Sequence, residues 1–223
     1  MKYKFHSHRH ALSVITEPQF QEDWKEFRDV LDNISDEMLI AEFEKFNEDK
    51  GTTPAEGKSK RKAMSISRAI NTLIDQGLTQ AGWTRQSPIF GDSHFRDKRW
   101  TLDFAKTSLG DKSRGTFSVE VAFNNAGSMA WNLIKPVLAS ELNHVAKAIQ
   151  TQVGIVVFAT EDLKDKGCFD DAVGTFELAK DYLASMHGIV VTPIILVGLD
   201  APESFTVEEE NNGRHNYGRI ERK

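Results

Sequence analysis

Two carboxylates on neighbouring extended runs, Asp103 and Glu120, are the residues of this chain best placed to do chemistry. Asp103 lies near the end of Arg99-Trp100-Thr101-Leu102-Asp103-Phe104, and Glu120 sits at the centre of the run from Thr116 to Phe123. The polar stretch from Gly110 to Gly115 between them suits a hairpin connection. Set among Val and Phe, two such charges repel in a low dielectric unless a cation lies between them. A hard divalent ion such as Mg²⁺ removes the conflict, because it takes oxygen ligands and keeps waters for a phosphate substrate. The pair therefore reads as a metal site for phosphodiester chemistry. Alternating acidic and apolar residues also describe a half-solvated strand face, and the motif alone leaves both readings open.

The elements that must position this pair fall into a helical N-terminal part and an α/β core. Phe20, Trp24, Phe27 and Leu31 follow Pro18 at helical spacing, and Pro suits a first helical turn. Ser35 caps a second helix carrying Phe43 and Phe46, and a third helix runs from Met64 to Gly77 or, at the latest, Gly82. Residues 49–57 read as a loop, and the stretch from Trp83 to Asp97 as irregular. Core strands are expected near 99–106, 116–124, 153–158 and 189–198, with helices at 131–150 and 172–185. Pro136 leaves the start of the first of these helices open. Its apolar positions, among them Leu133, Ile134, Val137 and Leu138, form the wide arc of a helix lying on a sheet. Beyond Pro202 the tail is polar, with a short edge strand at Tyr217 to Ile220. The divisions are residues 1–82, the core at 83–202 and the tail at 203–223, within one folded unit.

Side chains alternate along a strand, so Glu120, Ala122 and Asn124 share one face while Val119, Val121 and Phe123 share the other. Glu141 and His144 lie three apart on the long helix, either as a catalytic pair or as a packing pair. The run His6-Ser7-His8-Arg9-His10 puts three histidines on one face if extended, and without a nearby acid it reads as a solvated edge strand.

The chain of 223 residues is long enough for one sizeable core, and 39% hydrophobic with 27% charged residues describes a soluble protein. It has no run of about 18 apolar residues and no signal-peptide pattern, which implies no membrane association and a cytoplasmic location. Cys168, the single cysteine, excludes an intramolecular disulfide and a Cys-rich zinc site. A net charge of −5 counts against a nucleic-acid partner, yet phosphate contacts need only local cations. These cluster as Lys58, Lys60, Arg61 and Lys62, and as Arg96, Lys98 and Arg99, whereas acids gather between Glu17 and Glu56 and at Glu208 to Glu210. Each basic cluster is either a phosphate clamp or a solvated loop.

In order and spacing, these motifs resemble the BglII/BstYI family of type II restriction endonucleases, relatives of the PD-(D/E)xK nucleases. The likeness rests on the Asp103 strand, on Val119-Glu120-Val121-Ala122-Phe123-Asn124-Asn125, on Ser140-Glu141-Leu142-Asn143-His144 and on the apolar strands ending at Phe158 and Leu199. It is strongest from about Trp83 to Leu199. It implies an α/β fold with a restriction-endonuclease-like mixed sheet core flanked by helices. It further implies Mg²⁺ held by Asp103, Glu120 and the carbonyl of Val121, double-stranded DNA as substrate, a homodimer on a short palindromic site, and a cognate methyltransferase. Gln86 matches a polar family position upstream of the aspartate.

One position departs from the pattern. Many PD-(D/E)xK nucleases carry a lysine two residues after the glutamate, and the BglII type a glutamine; this chain has Ala122, which leaves Asn124 as the polar side chain on that face. The resemblance places Glu141 and His144 near the dimer interface and the active site. It also places base-contacting residues in a loop from Glu161 to Asp171, where Lys164, Asp165, Lys166, Asp170 and Asp171 offer donors and acceptors. A non-cleaving DNA-binding dimer of the same fold, and a plain α/β interaction module, are the rival readings.

Overall fold

The computed structural model describes residues 1–48, 62–92, 97–106, 116–141, 145–211 and 216–223. Among these, six strands form one mixed sheet: β1 (Tyr3–His8), β2 (Thr84–Pro88), β3 (Thr101–Lys106), β4 (Phe117–Val121), β5 (Val153–Ala159) and β6 (Ile194–Leu199), in the order β1-β6-β5-β4-β3-β2. The central strands β4, β5 and β6 are parallel, and the outer strands run antiparallel to their neighbours. All residues of β5 and β6 are buried, which is why both read as continuous apolar runs rather than as alternating ones.

On one side, β1 leads through α1 (Ala11–Val14) into α2 (Pro18–Asp32), α3 (Asp36–Glu48) and α4 (Ser67–Gln80). Their apolar faces share a core with the sheet, in which Phe27, Leu31, Leu39, Ile70 and Ile74 meet Phe117, Val119 and Ile155. The expected caps form: Pro18 opens α2, Ser35 Oγ accepts the Met38 N–H at 3.2 Å, and Gly82 takes φ +77° just beyond α4. The other side is covered by α5 (Met129–Ser140) and α7 (Phe176–Ser185), over Val156, Phe158 and Leu196. Gly154 of β5 permits the close seat of α5, because a Cβ there would stand 2.6 Å from Pro136 Cβ. Pro136 lies inside α5, neither in its first turn nor at its end.

Several expectations are corrected. Thr84–Pro88 is a strand rather than irregular chain; it is an edge strand of polar residues with only Ser87 buried, so no apolar alternation announces it. The long helix stops at Ser140 instead of reaching residue 150. Glu141 is already extended there, so it does not share a helix face with His144, which lies outside the described residues. The Glu120 strand ends at Val121, short of Asn124, and the last sheet strand begins at Ile194, with Ile189 and Val191 exposed before it. The supposed loop after β5 opens with α6 (Glu161–Lys166), capped by Thr160 Oγ1 on the Leu163 N–H. The tail is a hairpin, β7 (Phe205–Asn211) with β8 (Asn216–Arg222), and Phe205 and Val207 enter the main core.

The histidine run does form an edge strand, but His8 is buried, with Nε2 2.7 Å from the carbonyl of Val190. Arg9 and His10 both take positive φ in the turn that follows.

Candidate active site at the β3–β4 fork

The main-chain ladder between β3 and β4 runs only as far as the Phe104–Val119 pair. Beyond it the Asp103 side chain takes over, and its Oδ2 accepts the Val121 N–H at 2.8 Å. A carboxylate thus replaces a main-chain carbonyl in the ladder, and the two strands fork. β4 stays paired to β5 as far as Val121, and the Ala122 N–H donates to Val157 O at 2.8 Å, so only the β3 side opens. Across from Asp103, Gln86 interrupts the regular pairing of β2 with β3, which steps from Arg85–Phe104 to Ser87–Leu102. Gln86 has φ +49°, a left-handed conformation that costs a non-glycine residue about 1 kcal/mol or more. Its amide Nε2 lies 3.5 Å from Asp103 Oδ1, a long contact.

Glu120 is 2% exposed. One oxygen, Oε2, accepts from Lys135 Nζ of α5 at 2.7 Å. The other, Oε1, is buried with no hydrogen-bond partner. Burial, reinforced by the charge of Asp103 and opposed by Lys135, pushes the Glu120 carboxyl up to about 8. Next to the fork is a cleft of about 410 Å³, lined by Asp103, Val121, Phe104, Gln86, Arg85 and the α4 residues Asn71, Thr72 and Asp75. Arg85 pairs there with Asp75 at 2.5 Å.

The donor set suits a hard cation. Asp103 and Glu120 are neighbouring carboxylates, and the partnerless Glu120 Oε1 is an oxygen whose burial costs energy unless something binds it. Among the described residues no group of three or more His, Cys, Asp or Glu side chains is arranged to hold a metal ion. The remaining ligands of an ion here would therefore be main-chain oxygens, such as that of Val121, and water, a mixture typical of Mg²⁺.

The other sequence-derived candidates scatter. Asn124 lies past the end of β4, exposed, with Oδ1 accepting from Asn132 Nδ2 at 2.9 Å. Glu141 is exposed at the end of α5. Lys58, Lys60, Arg61, Arg96 and His144 lie outside the described residues. Lys62 is exposed, its Nζ 4.8 Å from the centre of the Tyr217 ring, and Lys98 opens a short 3₁₀ turn before β3. In and just after α6, Lys164 donates to the Asp171 carbonyl at 2.6 Å and Lys166 pairs with Asp162 at 2.5 Å.

Sequence reasoning missed Lys135 and the wall formed by Asn71, Thr72, Asp75 and Arg85. The wall leaves no local mark, since α4 approaches β2 and β3 only in the folded chain. Lys135 did leave one: it is a lone cation set between Leu133, Ile134, Val137 and Leu138 in the apolar arc of α5.

No curated protein matches the chain by sequence. Among solved structures, restriction endonuclease BglII crystallised with a DNA 16-mer matches with a TM-score of 0.62 at 19% identity, over 100% of both chains. Free BglII matches with a TM-score of 0.52 at 18% identity, over 99% of this chain and 92% of the other. Both likenesses establish the fold. A family model described as restriction endonuclease BglII/BglIII matches residues 3–199. That span takes in the whole sheet, the fork and both flanking helical layers, and the chain belongs to the BglII/BglIII restriction endonuclease family.

Proposed function

We propose that this chain is a type II restriction endonuclease that, as a homodimer, hydrolyses both strands of double-stranded DNA at a short palindromic site with Mg²⁺. The observation that carries the reading is the fork itself: a buried carboxylate oxygen on Glu120 without a hydrogen-bond partner, and its neighbour Asp103, which with Val121 lines an open cleft. Family membership supports a nuclease, and BglII itself was crystallised on DNA.

Asp103, Glu120 and the Val121 carbonyl would hold the ion. When bound, Mg²⁺ polarises the scissile phosphate and acidifies a ligated water. The chain's own residues do the rest. Asp103, fixed through Oδ2 by the Val121 N–H, keeps Oδ1 toward Gln86 and the cleft. Gln86 offers an amide beside Asp103 that can orient a water or a phosphate oxygen. Arg85, exposed at the cleft wall, supplies a cation for the DNA backbone once it leaves Asp75. In the reaction a water oxygen bonds to phosphorus and releases a proton to solvent, the phosphorus–ester oxygen bond breaks, the departing oxygen takes up a proton from solvent, and no covalent enzyme intermediate is needed. A twofold dimer would present two such forks to the two strands of a palindrome.

Ala122 favours a second reading. It is 2% exposed and packed beneath α5, so no polar side chain reaches the site from that position, as in a DNA-binding dimer that does not cut. Incubation with mixed-sequence plasmid and phage DNA, in Mg²⁺ or EDTA and beside Asp103→Ala, decides between the two. Discrete fragments that need Mg²⁺ and vanish in the variant support the nuclease. Specific, salt-sensitive binding without cutting supports the silent dimer, and neither cutting nor binding removes both.

A further inference from the structure

We propose that Lys135 is the third functional side chain of this site, delivered from helix α5 in place of the polar side chain that Ala122 lacks. The inference rests on the nuclease reading above and adds a residue to it. Four observations converge on Lys135. Its side chain is 11% exposed, and its ammonium lies 2.7 Å from Glu120 Oε2. The helix that carries it otherwise buries Met129, Leu133, Pro136 and Val137 against the sheet. Ala122 is buried in that same cluster, so position 122 contributes only a methyl group beneath the helix that carries Lys135. Gly154 lets α5 sit low enough on β5 for its lysine to reach Glu120.

A lysine held this deep is costly to desolvate, and an apolar pair of similar volume could fill the space without loss of stability. What the ion pair adds is orientation. With Oε2 tied to Nζ, the Glu120 carboxylate cannot turn freely, and Oε1 is left as its one free oxygen. Lys135 is in this sense a positioning residue: it acts through Glu120 and stands as the site's local cation. Sequence spacing could not show this, because Lys135 lies 15 residues beyond Glu120 on a different element.

The test compares the wild type with Lys135→Met by three readings. These are the single-turnover cleavage rate in saturating Mg²⁺, DNA affinity with Ca²⁺ in place of Mg²⁺, and Mn²⁺ binding to the DNA-free protein followed by electron paramagnetic resonance. Cleavage is expected to fall about 100-fold or more, the size of effect seen when one preorganised polar group is removed from an active site. DNA affinity should stay within about three-fold, and Mn²⁺ should bind no more weakly, because removing a neighbouring positive charge does not reduce attraction for another cation. Should the Met variant fail to fold, Lys135→Gln, which keeps a donor without the charge, takes its place with the same readings. A rate within about three-fold of wild type overturns the proposal. So does a rate that falls together with Mn²⁺ and DNA binding, or the failure of both variants to fold, since either marks a purely structural ion pair. A wild-type chain that cuts no DNA removes the nuclease reading itself, an outcome distinct from all of these.

Discussion

Glu120 should be a burden to the metal-free protein, and replacing it with glutamine should stabilise the fold in EDTA at high pH. Its folded carboxyl is pushed up to about 8 from an ordinary 4.5, first by burial and then by Asp103, with Lys135 opposing both. The sign follows from proton linkage. Between those two values the native state holds a proton that the unfolded chain has released, so stability falls as pH rises through the window. At about 1.4 kcal/mol per pH unit the gap sets a ceiling of roughly 5 kcal/mol above pH 9. Water entry and relaxation around the Lys135 pair bring the expected loss nearer to about 2–3 kcal/mol. For a chain of this size that corresponds to a melting temperature lower by about 5–10 °C. Thermal melts of wild type and Glu120→Gln in EDTA, from pH 5 to pH 9, measure it. The two curves should lie closest at pH 5, where the native Glu120 is still protonated and most of the window lies above, and separate with the variant higher at pH 9. Mg²⁺ added at pH 8 should raise the wild-type melting temperature alone, because only the carboxylate gains a ligand. Curves that stay parallel across the whole range, or a variant that melts lower at pH 9, would refute the reasoning.

Other perturbations probe the frame around the fork. Gln86→Gly relieves the left-handed strain at φ +49° and should stabilise the protein by roughly 1 kcal/mol in urea unfolding, while DNA cleavage slows with loss of the amide beside Asp103. Gly154→Val drives a side chain against Pro136 and should cost about 1–3 kcal/mol. Because α5 must then lift, cleavage should slow as well, even with the protein still folded by circular dichroism. Thr160→Val removes the cap on the Leu163 N–H and the hydroxyl bond to Leu199 O, and should lower stability by about 1–2 kcal/mol in denaturant titration with DNA binding unchanged.

Much of the scaffold is written locally. Phe20, Trp24, Phe27 and Leu31 repeat at helical spacing, and they form the buried face of α2. The uninterrupted apolar runs of β5 and β6 announced central strands covered on both sides. The polar elements stayed hidden. Thr84–Pro88 pairs with β3 through main-chain groups that any sequence possesses, so its side chains carry no strand signal. The helix-like stretch around Glu141 and His144 continues the apolar spacing of α5, yet the chain leaves the helix at Ser140, where it returns toward β5.

The candidate site divides in the same way. Asp103 and Glu120 could be picked out from the sequence because a carboxylate inside an apolar strand is costly wherever the chain goes, and that cost marks it before any fold is known. Their neighbours were decided by tertiary structure alone. Gln86 meets Asp103 because an unsignalled edge strand pairs with β3, and Arg85 faces Asp75 because α4 lies beside that strand. Lys135 reaches Glu120 because a glycine in β5 lets a helix settle on the sheet. The burial cost of a single side chain is a local property, legible along the chain. Which charge lies opposite it depends on how close two elements pack, and that is settled only when the whole core closes.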